Sequence, residues 1–384
     1  MNGYRYKSGG TVSRWLTVLA IVFFVLFVLA GSVISSNYKH IGNLIKVISL
    51  VRTQYIDPVQ ATSLVDGAMR GIVESLEDPY SVYLDPQTFK RLQEQISGSF
   101  GGLGILVGVD KEEFLTVVRV YDNTPAAEEG VRVGDIIVGI DGRDVQGLDL
   151  ETAITLMRGP VDSKIKVSVA REGHPEPIEF DITRREISVP SVEGRMLTNS
   201  SIGYVTVSQF NEKTPDEMLQ VLANLRDHGM RGIVLDLRDN PGGELIAATQ
   251  VADNFIPKGP IVYIDYRTGT EDVKDADDNY LRLPLAVLVN GGSASAAEIL
   301  AGAVKDTEVG VLVGTRTFGK GIVQTVFTLD NDAGLKLTTA HYLTPKKKDI
   351  HKKGIAPDVV VENLPDQPGD EQLDKAVELV KRKL

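Results

Sequence analysis

The sequence predicts an α/β protein: an N-terminal transmembrane helix and a helical segment, then a small β-rich module, then a larger α/β core. Three observations carry this reading. An apolar run extends from Leu16 to Ile34. "KIKVSVAR" (Lys164 to Arg171) and "IEFDIT" (Ile178 to Thr183) alternate strictly, as half-buried strands do. "RGIVLDLRDNPGG" and "LPLAVLVNGGSASAAE" each read as a continuous apolar strand, a glycine turn and a helix, and unbroken apolar strands belong to a sheet covered on both faces.

The N-terminus comes first. Arg5, Lys7 and Arg14 precede the apolar run, and no acidic residue occurs before Asp57. Nineteen residues make a helix about 28 Å long at roughly 1.5 Å per residue, enough to cross a bilayer. The basic flank stays in the cytoplasm, which places everything after Ser35 outside it. The alternative is a cleaved signal peptide, for which Leu29-Ala30-Gly31 is the candidate cleavage site. The expected organisation is a tail and membrane anchor over 1–36, helices over 37–96, the β-rich module over 97–186, the α/β core over 187–365 and a terminal helix over 366–384.

Within 37–96, Ile41, Leu44, Ile45, Ile48 and Val51 fall at helical spacing, as do Leu64, Ala68, Ile72 and Leu76. "EDPYSVYLDP" reads as a break, after which "PQTFKRLQEQI" resumes a helix. The module opens on the glycine-rich "SGSFGGLGILVGV", has a strand over Phe114 to Val120 and a hairpin at Asp141-Gly142, and carries a short helix, Leu150 to Arg158, ended by Gly159-Pro160. In the core, "SIGYVTVSQF" is a strand, and "TPDEMLQVLANLRDHG" opens on a capping box, Thr214 to Glu217, with Pro215 at the first helical position. Leu373, Ala376, Val377 and Val380 mark the terminal amphipathic helix.

Composition excludes some chemistry. The chain of 384 residues has a net charge of −11, which gives a nucleic-acid partner no general electrostatic support, and "PKKK" (Pro345 to Lys348) reads as a solvated hairpin. It has no cysteine, hence no disulfide, thiolate metal site or cysteine nucleophile. No metal or organic cofactor is implied.

Chemistry concentrates at the glycine turns, since covered sheets place sites at the carboxyl ends of their strands. Ser295 stands where a strand turns into a helix. Ser295-x-x-Glu298 is also a capping box, so the serine has a structural reading beside the nucleophilic one. Small neighbours leave room for a substrate backbone, and the Ala296 amide would point toward a developing oxyanion. Ser293, two residues earlier, is a rival nucleophile. For the base, none of the five histidines (His40, His174, His228, His341, His351) carries a motif. "TFGKGIVQ" sets Lys320 between two glycines. Burial can lower a lysine pKa by several units, so that a neutral amine takes a serine proton.

"DLRDNPGG", "GGSASAAEILAGA", "TFGKGIVQ" and "HKKGIAPD", in this order after a glycine-loop module and an export segment, resemble the carboxyl-terminal processing, or tail-specific, proteases. These are Ser-Lys peptidases, and the resemblance covers roughly residues 40 to 365. It implies a crotonase/ClpP-like α/β peptidase core with Ser295 as nucleophile, Lys320 as general base and Gln324 orienting the lysine. It implies an oxyanion hole from the amide of Ala296 and one of Gly242 and Gly243, with Gly243 preferred. Glu298 and Asp306 match acidic positions read as structural support, and the family's "SASAS" has Ala297 at its third serine. The module resembles a PDZ domain, so that Gly101, Gly102, Leu103, Gly104 and Ile105 would form the loop that binds a peptide C-terminus while the peptide adds a strand. Arg158 sits where relatives place an arginine linking module and protease; its other reading is a helix-terminal arginine on its own carbonyls.

The expected activity is a membrane-anchored, extracytoplasmic serine endopeptidase that cuts proteins near free, apolar C-termini. The helices over 37–96 are assigned, by analogy, homodimerisation or gating. Two rivals remain at this stage: a non-catalytic PDZ adaptor, and a crotonase-like acyl-CoA enzyme, which the export segment and the peptide-binding module oppose.

Overall fold

The computed structural model describes residues 40–110, 113–363 and 369–384. The apolar run Leu16 to Ile34 lies outside these residues. Among the described residues no helix is long and apolar enough to cross a membrane.

The chain forms two compact units, Met1–Glu77 and Asp78–Leu384. The described part of the first holds helix α1, over 40–54, and α2 (Ala61–Glu74). These helices leave Ile41, Leu44, Ile45, Leu50, Val65 and Ile72 exposed. The unit boundary falls inside the stretch that the sequence groups as one helical segment.

The second unit begins where the sequence reads only a break. Val82–Leu84 forms β1, antiparallel to β18 (Gly334–Leu343). A three-residue strand among turn residues has too few side chains to show a period. Helix α3 (Pro86–Ser97) follows; Asp85 caps it by accepting from the Thr88 amide at 2.9 Å, and it ends at Gly98 with φ +70°.

The β-rich module is built on the order β3 (Ile105–Val109), β4 (Leu115–Val120), β5 (Ile136–Ile140), β7 (Lys164–Ala170), β8 (Ile178–Thr183), with the two-residue β6 (Arg143–Asp144) on β5. Helix α4 (Pro125–Glu129) and helix α5 (Leu150–Met157) close it. The alternation in β7 and β8 buries Ile165, Val167, Val169, Phe180 and Ile182 in one core. Strand β3 is an edge. Outside this sheet, β2 (Ser99–Gly102) pairs with β9 (Arg185–Ser188).

The core sheet runs β10 (Val192–Met196), β11 (Ile202–Val207), β12 (Gly232–Asp236), β15 (Leu285–Val289), β16 (Val311–Gly314), β19 (Val359–Val360), parallel except for β10. Every residue of β12 and β15 is buried. On one face Ile233, Leu235 and Val287 pack with α6 (Thr214–Asp227), α7 (Leu245–Asp253) and α8 (Ala296–Thr307). On the other, Val234, Ala286 and Val313 pack with Ala376 and Val380 of α9 (Glu371–Lys381). Two-sided burial is the reason the strands read as unbroken apolar runs. A second sheet holds β1, β18, β13 (Gly259–Tyr266) and β14 (Glu271–Ala276), with β17 (Ile322–Thr328) on β18.

The capping box expected at Thr214 does not form. Asn211 accepts from the Lys213 and Thr214 amides at 2.9 and 3.2 Å, while Glu217 takes the Ser191 amide and hydroxyl at 2.7 and 2.6 Å. A tertiary partner outcompetes the local one because Ser191, just before β10, comes within reach of the helix.

Helix α9 is tied to β12 by charge. The Arg238 guanidinium lies between Asp236 (2.5 Å) and Asp370 (2.8 Å). Burial pushes the Asp370 carboxyl up, but hydrogen bonds from Arg238, the Leu373 amide and Asn363 outweigh it and bring it down to about 2. A depressed carboxylate contributes stability that is complete above its unfolded value, near 3.9, and lost as pH falls through the folded value. Asp370→Asn is therefore expected to unfold at lower denaturant concentration than the wild type at pH 7. The two midpoints should converge as the buffer approaches pH 2, and urea melts at both pH values check this.

Candidate active site

The two glycine turns of the core sheet meet. Asn240 is fully buried; its Nδ2 donates to the Val207 carbonyl and its Oδ1 accepts from the Gly242 amide, both at 2.8 Å. Its own carbonyl accepts from the Ala294 amide at 2.9 Å. Asp239 and Asn290 bond reciprocally at 2.9 Å. The turn after β12 is thereby fixed against the turn before α8.

Ser295 is the N-cap of α8 with φ +52° and ψ −116°. A non-glycine residue holds such a conformation only where its surroundings force it, and such positions cluster at functional sites. The forcing group is Glu298, 0% exposed. Its Oε2 accepts the amides of Ser295 (3.0 Å) and Lys320 (2.8 Å); its Oε1 accepts the Gly319 amide (2.8 Å) and the Thr317 hydroxyl (2.5 Å). One buried carboxylate thus holds the start of α8 and the lysine loop together. The Tyr342 hydroxyl, also buried, donates to the Ser295 carbonyl at 3.0 Å. Nothing in "AHYLTP" marks this tyrosine in the sequence.

Ser295, Ala296, Gly242, Gly243, Lys320 and Gln324 line one cavity of about 490 Å³. Its apolar wall includes Phe210, Leu245, Ile299 and Ile322. No histidine is among the lining residues. Ser293 is excluded from it: fully buried, it donates to the Leu237 carbonyl at 2.7 Å and accepts from the Asn290 amide at 3.0 Å. His341 and His351 form an edge-to-face pair, with ring centroids 5.9 Å apart. "HKKGIAPD" is a turn seating the lysine loop: the Lys352 amide donates to the Gly319 carbonyl at 2.7 Å.

Burial is the main cause that lowers the Lys320 ammonium from its ordinary value, helped by the charge of Lys336; Asp78 and Glu298 pull weakly the other way. Burial thus shifts this lysine in the direction that favours a neutral amine. The side-chain nitrogen of Gln324 is buried with no hydrogen-bond partner among the described residues. An unpaired amide beside the lysine is free to bond a bound substrate or the amine itself.

The amides of Ala296 and Gly243 have no acceptor among the described residues, whereas that of Gly242 is committed to Asn240. Gly242 serves by shape: with φ +98°, a Cβ there would lie 2.8 Å from the Ser295 Cβ and 2.9 Å from the Ala296 nitrogen. The preference for Gly243 over Gly242 as the second donor thus has a physical reason.

In the β-rich module, Gly101 and Gly102 are spent in the ladder with β9. They shape the loop rather than furnish its donors. The amides of Leu103 and Gly104 have no acceptor among the described residues. The Tyr121 amide donates to the Gly104 carbonyl at 3.0 Å. This makes Ile105–Val120 a non-hydrogen-bonded pair, so the Ile105 amide points off the free edge of β3. Arg158 does not satisfy its own helix. Its guanidinium stacks 4.0 Å over the Phe100 ring and lies 3.9 Å from Glu94, so it joins the module to α3.

Comparison with known proteins agrees along the chain. Residues 201–361 match the description Peptidase family S41, residues 30–88 the Activating protease CtpB N-terminal domain, and residues 116–171 the PDZ domain. The chain is 38% identical over 367 residues to the carboxy-terminal-processing protease of Bartonella bacilliformis, covering 90% of this chain and 84% of that one. It is 37% identical over 334 residues to the carboxy-terminal processing protease CtpA of Bacillus subtilis, covering 86% and 71%. Among solved structures, a photosystem II D1 C-terminal processing protease aligns with a TM-score of 0.50 at 33% identity, over 83% of this chain and 86% of that one.

Proposed function

The chain belongs to peptidase family S41 as a PDZ-containing carboxy-terminal processing serine protease, and on that premise we propose the residues and the setting of its reaction. Ser295 is the nucleophile and Lys320 the general base. The observation that carries this is their convergence in one cavity with the two unpaired amides of Ala296 and Gly243. Neutral Lys320 takes the Ser295 proton as Oγ attacks the scissile carbonyl. The two amides receive the oxyanion, and Lys320 returns the proton to the leaving amine. Water then hydrolyses the ester. Gln324 steadies the lysine. Leu103, Gly104 and Ile105 bind the substrate carboxylate while its last residues add to the edge of β3. Arg158 relays module position to α3.

Leu16 to Ile34 anchors the chain and leaves the peptidase on the extracytoplasmic side, a reading supported by the basic flank before the run. The exposed apolar side chains of α1 and α2 support a homodimer. Two measurements test the core of the proposal. A fluorophosphonate is expected to modify Ser295, read by peptide mass spectrometry. An unfolded substrate ending in three apolar residues is expected to be cut several-fold faster than the same polypeptide amidated at its C-terminus. Modification at another serine would remove the nucleophile assignment. Equal rates on the two substrates would remove carboxylate recognition.

A further inference from the structure

The lysine has a neighbour that the mechanism above does not use. Tyr80 places its ring 5.1 Å from Lys320 Nζ, measured to the centroid, within the range of a cation–π contact. Lys320 lines the catalytic cavity and Tyr80 is not among the lining residues. The backbone that carries this half-buried ring is held in place. The Tyr80 amide donates to Asp78 Oδ1 at 3.1 Å, and Asp78 Oδ2 accepts the hydroxyls of Ser81 (2.5 Å) and Thr338 (2.6 Å). The Thr338 amide donates to the Ser81 hydroxyl at 3.0 Å. Thr338 lies opposite Gln324 in the β17–β18 ladder. The segment from Asp78 to Leu84 is thus a strap laid along β18, fastened at Thr338, the residue that faces Gln324.

We propose that Tyr80 is a positioning residue for the base, its ring closing one flank of Lys320 against water and holding Nζ over the cavity that contains Ser295. The inference rests on the reading of Lys320 as base. The choice of group makes chemical sense. A carboxylate in this place would also hold the amine, but its charge would keep the lysine protonated and unable to accept the serine proton. An aromatic face carries no formal charge, so it holds the amine far more weakly in its charged form than a carboxylate would. It packs against the neutral amine and tolerates the ammonium that forms when the proton moves. The hydroxyl has no part in this, so the ring alone is required.

The test uses the full-length chain with Tyr80→Ala, Tyr80→Leu and Tyr80→Phe. Two quantities are read against pH: kcat/KM on an unfolded substrate, and the rate at which acetic anhydride acetylates Lys320, followed by peptide mass spectrometry. In Tyr80→Ala both rising limbs are expected to move up by about one pH unit, which lowers kcat/KM at fixed pH about tenfold. Tyr80→Leu, which keeps bulk and guards against a folding defect, should move in the same direction by less. Tyr80→Phe should recover the wild-type limbs. Unchanged acetylation and kcat/KM limbs in Tyr80→Ala overturn the inference and leave Lys320 as base. An acetylation limb that moves while the kcat/KM limb stays put overturns the assignment of the base, and the inference with it.

Discussion

Lys320→Met is expected to lower kcat/KM by about 10³-fold, within the range that a positioned general base contributes. Methionine keeps the length and apolar stem of lysine, so the fold should be retained and thermal unfolding should be nearly unchanged. The residual rate should also lose its rise with pH. In the wild type the base works only when neutral. Burial lowers the ammonium from its ordinary value, so activity should climb from neutral pH upward through the range in which the amine deprotonates. A wild-type profile that fell over this range in a folded enzyme would remove Lys320 from the mechanism. So would a methionine variant with a near-normal rate, and the His341–His351 pair would then need attention.

The second large effect is expected at a residue that touches no substrate. Glu298→Gln replaces one carboxylate oxygen by an amide nitrogen. Each oxygen accepts two hydrogen bonds, so either orientation sets a donor against two donors and leaves them buried and unpaired. Hydrogen bonds to a charged group are worth roughly 1.5–3 kcal/mol each, and a buried unsatisfied group costs about 1–3 kcal/mol. A loss of about 3–5 kcal/mol in unfolding free energy follows, read from denaturant midpoints. Activity should fall more steeply than stability. Even in the folded fraction, Ser295 is released from its positive φ and the Lys320 loop from α8. A variant with wild-type kcat/KM per folded molecule would show that the carboxylate only supports the fold.

Sequence and structure agree best where a pattern is local. The alternation of β7 and β8, the apolar runs of β12 and β15 and the glycine turns behind them are legible because each depends on neighbours in the chain. The strained serine is partly legible, since the capping-box spacing places Glu298 beside it. Nothing in that spacing shows that the same carboxylate also holds the loop around Lys320, which needs a contact 22 residues away. Tyr342, the Glu217–Ser191 bond and strand β1 were hidden for the same reason: their partners are set by tertiary packing, which no period in the sequence records. The resemblance already prefers Gly243 over Gly242, and the backbone supplies the physical reason, one amide taken and one free.

The strap has a consequence for the order in which the enzyme comes into being. Asp78 and Thr338 are 260 residues apart, and their bond joins the segment just before the first strand of the second unit to β18. A contact of that span closes late. While β18 is still unmade, Tyr80 has no sheet to lie on and Lys320, once synthesised, stands in water as an ammonium. If Ser295 and Lys320 act as proposed, a chain whose β18 is not yet in place is expected to show no peptidase activity, which a C-terminally truncated chain ending before Gly334 would check.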